Sequence, residues 1–383
     1  MQEVTVAGSV CCERCPGATA ANTSHIARRR LLKAAVFQPP ASQGEGEPLG
    51  QLGRKAGRGP VHGPAASRAG CLQAAESIPA RAGQPASAGT AGLYRAVSGR
   101  IVDVSPHFIA IGDARGELRY TMAADATAWR GAPVEPAALA RGDQVVIRLR
   151  PPRHNVADRI WADIGRVTGT IVQRDADSLL VEEGFTREKQ VVVIPKQAAG
   201  RIQVRFPNLL AGYLIDIIGI RRRGVLEGLV PAAYQPIYPV AQLKAPSFSG
   251  GRLPDVIAGS ATWHDAVDEP HGVLGVCYPA VDPAAGCAED AAAGIMPGLA
   301  PAYRSLPYLA IGSALTIRNE CAGIGCTLPV TGCAPVARMF NDRCVACRTS
   351  PRGRVADLTM AGFVALGGEL ELGCFNATIA IGI

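Results

Sequence analysis

From about residue 93 onward the chain is a succession of short runs in which apolar and polar side chains alternate, each bounded by Gly, Asp or Pro. Alternation with a period of two is the pattern of a strand with one buried face. Three of these runs recur. Val97-Ser98-Gly99-Arg100-Ile101-Val102 matches Val167-Thr168-Gly169-Thr170-Ile171-Val172, and Phe108–Ile111 falls on Ser178–Val181, at a constant offset of 70 residues. Gly142-Asp143-Gln144-Val145-Val146-Ile147 falls on Gly212–Ile217 at the same offset. Blocks in register without a gap predict two copies of one unit, 91–165 and 166–240, each a small β-barrel. The longest apolar run, Leu209–Ile220, is 12 residues long and contains Asp216, so it predicts a core strand. A bilayer span needs roughly 20 residues, and no transmembrane segment is expected.

Residues 241–259 lose the alternation and carry Pro, Ser and Gly-Gly, the composition of a linker. Alternation resumes in Leu315–Asn319, Val336–Phe340 and Thr378–Ile381. Between the last two, Thr359 is suited to cap a helix over Met360–Leu366, and Gly367-Gly368 to end it. Phe363 and Leu366 are three apart and face one core. The expected fold is mainly β: two tandem, OB-like barrels followed by a small cysteine-rich β domain over 260–383. The repeated barrels read either as a spacer or as a binding module.

Residues 1–90 show neither period and are rich in Ala, Gly, Pro, Arg and Ser, which predicts a disordered leader or targeting region. Charge and cysteine content sharpen this division. The net charge of +7 resolves into ten Lys/Arg against five Asp/Glu in residues 1–90, leaving 29 against 27 beyond. A basic leader on a near-neutral body is not a phosphate-binding footprint, so no nucleic-acid partner is expected. Arg28-Arg29 followed by Leu31-Leu32-Lys33 resembles a twin-arginine export signal, although the apolar stretch stops early at Gln38-Pro39-Pro40. Of twelve cysteines, eight fall in the last 107 residues: Cys277, Cys287, Cys321, Cys326, Cys333, Cys344, Cys347 and Cys374. Such density predicts a disulfide framework made in an oxidising compartment, with the pairing open. Cys321, Cys326, Cys344 and Cys347 also have spacings that suit a tetrahedral zinc site. A thioredoxin-type role for Cys344 and Cys347 would need a βαβ context that the pattern lacks.

Asn341-Asp342-Arg343-Cys344-x-x-Cys347, then Asp357-Leu358-Thr359, Phe363 and Leu366-Gly367-Gly368, resemble the double-psi β-barrel superfamily. That group includes rare lipoprotein A, expansins and barwin-like proteins. Ala261-Thr262-Trp263-His264 and Tyr303-Arg304-Ser305-Leu306-Pro307 are similar to the family's opening blocks, and the likeness covers roughly residues 260–383. It implies a six-stranded, disulfide-stapled barrel, a secreted or envelope location, a cell-wall glycan partner such as peptidoglycan or cellulose, and no cofactor. It also implies Asp342 as the acid that protonates a glycosidic oxygen and Asp357 as its groove partner, with Trp263, Tyr278, Tyr303 and Arg343 contacting the sugar. Cleaving members carry His where this chain has Tyr303, and Glu289 and Asp290 lie in no recognisable motif, so binding is expected over cleavage.

Each residue has a plainer reading. Asp342 beside Arg343 can be an ion pair that fixes a strand end, and Asp357 a helix-dipole partner. The aromatics can be core, and His264 and His271 can be metal ligands or plain surface. The alternative function is a non-catalytic secreted interaction module, such as a barwin-type protease inhibitor with a secreted protein partner.

Overall fold

The computed structural model describes residues 92–113, 116–183, 189–242, 256–265, 272–279, 306, 309–334, 340–345 and 351–381. The leader, residues 243–255 of the expected 241–259 linker, Tyr303, His271, Cys287, Cys347, Glu289 and Asp290 lie outside them, while residues 256–259 of that linker belong to a strand. Most of the expected Val336–Phe340 strand does too.

The described residues are mainly β and close into three small barrels. In the first, β1 (Arg95–Val104), β2 (Phe108–Asp113), β3 (Gly116–Trp129), β5 (Gln144–Leu149) and β6 (Val156–Ala162) form the ring β1-β2-β3-β6-β5, with β4 (Pro133–Val134) attached to β3. In the second, β7 (Ile164–Arg174), β8 (Ser178–Glu182), β9 (Gln190–Val193), β10 (Leu214–Arg222) and β11 (Val225–Pro231) form the ring β7-β8-β9-β11-β10. Each ring has one parallel pair, β3 with β6 and β9 with β11, in equivalent places.

The 70-residue repeat is legible bond by bond. The Gly142 amide donates to Ile101 O and the Gly212 amide to Ile171 O, both at 2.8 Å, and the two glycines share positive φ values of 93° and 87°. Gly99 and Gly169 recur because a Cβ there would meet a neighbouring carbonyl oxygen, of Gly112 at 2.7 Å and of Glu182 at 2.2 Å. The copies differ before the fourth strand of each ring. The second barrel carries α1 (Lys196–Arg205), which buries Ala198 and Ile202, four apart and so on one face. The first has only a 3₁₀ turn at Pro136–Ala138.

The third barrel closes six strands: β12 (Val256–His264), β18 (Cys374–Ile381), β14 (Ala314–Asn319), β15 (Ile324–Cys333), β13 (Val276–Tyr278) and β17 (Pro351–Thr359), the last pairing back to β12. A short β16 (Asn341–Arg343) lies on the other side of β17. The pairs β12–β17 and β13–β15 are parallel. After β17 comes α2 (Met360–Ala365), whose first turn is capped by Thr359 Oγ1 accepting from the Gly362 amide at 3.1 Å. Its last turn closes as expected of a glycine pair. Gly367 at φ 77° donates to Val364 O and Gly368 to Phe363 O, both at 2.9 Å.

One apolar core runs through all three barrels. Trp129, Val146 and Trp161 from the first and Ile164, Ile218 and Ile220 from the second pack into the same cluster as Trp263, Leu358, Phe363 and Phe375 of the third. Carboxylates reinforce the junction. Glu369 accepts from Arg148 at 2.6 Å and pairs with Arg159 at 3.2 Å, while Glu371 pairs with Arg159 and accepts from Trp161 Nε1 at 2.5 Å.

Candidate functional site

Asp342 does not line an open furrow. It is 1% exposed and accepts from Ser260 Oγ at 2.6 Å, while Arg354 Nε lies 3.0 Å from its Oδ2 and Arg354 Nη2 3.1 Å from its Oδ1. The same guanidinium reaches Asp216 of the second barrel. Asp216 is in turn gripped by Arg166 through two bonds of 2.9 and 2.8 Å and accepts from Thr168 Oγ1 at 3.0 Å. Arg166 finishes the chain by donating to the carbonyls of Trp263 and Gly373, each at 2.8 Å. Four buried charges, Arg166–Asp216–Arg354–Asp342, therefore alternate in sign across the seam between the second and third barrels. Burial alone would raise the Asp216 carboxyl, but Arg166 and Arg354 outweigh it and hold the group well below the usual carboxylate range. Burial likewise opposes the charge on Arg354, yet Asp216 and Asp342 keep it raised well above the ordinary arginine value. An acid must present its proton to a substrate. Asp342 is instead committed to an ion-pair lattice through Arg354, where the sequence suggested its neighbour Arg343.

The aromatic platform is also corrected. Trp263 lies wholly inside the third barrel, its Nε1 donating to Leu370 O at 2.9 Å, because alternation along β12 turns Ala261 and Trp263 inward. Tyr278 is equally buried in the core, where loss of water pushes its phenol up. Neither can stack on an external sugar. Arg343 is exposed, but its guanidinium sits 4.5 Å from the centre of the Tyr234 ring, which Arg205 also approaches at 3.9 Å. It ties β16 to the second barrel.

Among the described cysteines, Cys277, Cys321, Cys326 and Cys374 are free thiols, and Cys344 accepts from Asn376 Nδ2 at 3.2 Å. Burial raises the pKa of Cys321, Cys326 and Cys374. No group of three or more His, Cys, Asp or Glu among the described residues could hold a metal ion.

The face of the third barrel opposite Trp263 carries a different set. Register places Thr262 of β12, Asp357 of β17 and Cys277 of β13 in one lateral row. His264 stands two residues beyond Thr262 and so on the same face. Thr262 Oγ1 donates to Asp357 Oδ1 at 2.8 Å. The His264 ring lies between carboxylate and thiol, with Nδ1 3.7 Å from Asp357 Oδ2 and Nε2 4.0 Å from Cys277 Sγ. The Asp357 side chain keeps 20% exposure. Sequence reasoning found Asp357 but read His264 as surface or metal ligand and Cys277 as one cysteine of a framework. The only advance signal was the short spacing of His264 and Cys277 along the chain.

His264 also lines a cleft of about 620 Å³ where the three barrels meet, together with Arg100, Asp163, Arg221, Arg223 and Thr359. Arg221 is paired with Asp265 at 2.5 Å. Arg100 donates to Gly142 O at 3.1 Å, and Arg223, exposed, shows no ion pair among the described residues. Burial pushes the Asp163 carboxyl up, against the lowering effect of the Gln144 amide that donates to it at 3.0 Å. The cleft is thus cationic, with two arginines not spent on carboxylates. No protein-family model matches this chain, and no curated protein is similar to it.

Proposed function

We propose that the chain is a secreted or envelope-associated protein that binds a cell-wall glycan in the cleft between its barrels without cleaving it. The observation that carries this reading is the 620 Å³ cleft itself, lined by Arg100, Arg221 and Arg223 at a junction of domains, where ligand sites are most often found. Its charge favours a carboxylated glycan such as peptidoglycan over a neutral one such as cellulose. Sealing of Asp342 removes the acid that cleavage would need and leaves Asp357 as a single carboxylate. The ring order of the first two barrels, with its one parallel pair, is compatible with an OB-like barrel. Six closed strands in the third are compatible with the double-psi type. The resemblance of Arg28-Arg29-x-Leu31-Leu32-Lys33 to a twin-arginine signal is what supports an extracytoplasmic location.

The test is co-sedimentation of the full chain with insoluble peptidoglycan and with cellulose, scored for bound protein and for released soluble fragments. The expected result is binding to peptidoglycan, no release, and at least a tenfold loss of binding in R100E/R223E, since two charge reversals remove several kcal/mol of attraction in a partly desolvated cleft. Equal binding by that variant overturns the assignment of the cleft. Absence of binding to either glycan, with inhibition of a papain-like protease, would replace this reading by a secreted inhibitor.

A further inference from the structure

We propose that Cys277, His264 and Asp357 form a thiol–imidazole–carboxylate relay in which Cys277 is a nucleophile toward the acyl carbon of esters or amides. The inference is independent of glycan binding and rests on the order of the three groups. A nucleophilic cysteine needs a base on one nitrogen of an imidazole and an orienting acceptor on the other. Here Nε2 faces Sγ at 4.0 Å and Nδ1 faces Asp357 Oδ2 at 3.7 Å, so each ring nitrogen has the neighbour its role requires. Both separations exceed a hydrogen bond, as they commonly do before a substrate draws the groups together. Asp357 is itself held, because Thr262 donates to Oδ1 and leaves Oδ2 turned to the imidazole. Two strand pairings onto β17 fix the row, which makes it rigid rather than a loop arrangement. Cys277 is 9% exposed, and His264 beside it borders the cleft. The imidazole faces the Asp357 carboxylate on β17 at 3.7 Å, and Asp265, the residue after His264, is paired with Arg221.

The step balances without any oxidant. The Sγ proton passes to Nε2, Sγ forms a bond to the carbonyl carbon, and the carbon–oxygen or carbon–nitrogen bond breaks as the leaving group takes that proton. Water or an acceptor amine then releases the acyl group from the thioester and regenerates the thiol.

The full chain would be incubated with p-nitrophenyl acetate, with p-nitrophenolate followed by absorbance and the acetylated residue located by peptide mass spectrometry. The relay predicts a burst stoichiometric with protein and acetyl on Cys277. It also predicts loss of the burst in C277A and about a 100-fold slower burst in H264Q. Sedimentation of C277A with peptidoglycan should match the unaltered protein, which separates this failure from failure of the glycan reading. A second measurement needs no variant: iodoacetamide at pH 7 should label Cys277 at least about tenfold faster than Cys326, because an imidazole stands beside Cys277 Sγ to take its proton as it attacks. Cys277 recovered in a disulfide, a burst retained by C277A or at full rate in H264Q, or labelling no faster than at Cys326 would each overturn the proposal.

Discussion

At Asp216 a carboxylate with no exposed surface is held ionised between two guanidiniums that belong to different barrels. Buried ion pairs add little over an apolar replacement of the whole set, but removing one member leaves an uncompensated charge. Arg354→Met deprives both Asp342 and Asp216 of a partner, and urea titration should show a loss of about 3–5 kcal/mol. The pH dependence follows from the depressed carboxyl of Asp216. Its stabilisation is complete above the unfolded-state value of about 3.9 and is lost as pH falls through the lower folded-state value. Melting temperature should therefore drop steeply below about pH 4. Asp216→Asn should lower it at neutral pH and flatten that acid slope; an unchanged slope would show that other carboxylates control acid unfolding.

Among the elements, α2 tests how far local signals carry. Six residues make a helix too short to stand alone in water, so its caps and its packing hold it. Thr359 caps the Gly362 amide, donates to Val273 O at 2.7 Å and accepts from the Gly275 amide at 3.2 Å. Thr359→Ala should cost at least about 1 kcal/mol, since it removes a cap and two tertiary bonds together. Thr359→Ser, which keeps the hydroxyl, should recover most of that in the same denaturation assay. Both helix ends were legible because capping chemistry is local. The paired glycines of the repeat were legible for a related reason: the same strand crossing leaves no room for a side chain in either copy.

For the molecule as a whole, the shared core decides the unfolding behaviour. A tandem repeat followed by a linker suggests separable domains, yet Trp161, Ile218 and Trp263 lie in one cluster, and ionic links join the third barrel to both others. Calorimetry of the full chain should give a single transition for the barrels, with calorimetric and van't Hoff enthalpies in agreement. Two resolved transitions would mean that the junction contributes little.

The mainly β character, the repeat, strands such as β14 and both ends of α2 followed from the sequence alone, since each depends on alternation, turn chemistry or self-similarity within short windows. What each acidic or aromatic side chain does was settled only by tertiary structure. Trp263 and His264 are neighbours in sequence, but strand alternation sends one into the core and the other to the thiol and the cleft. Asp342 became part of an interface because an arginine on β17 links it to a carboxylate in another barrel, 138 residues from that arginine. Charges at that separation leave no periodic trace in a sequence; only the closing of the barrels brings them within reach.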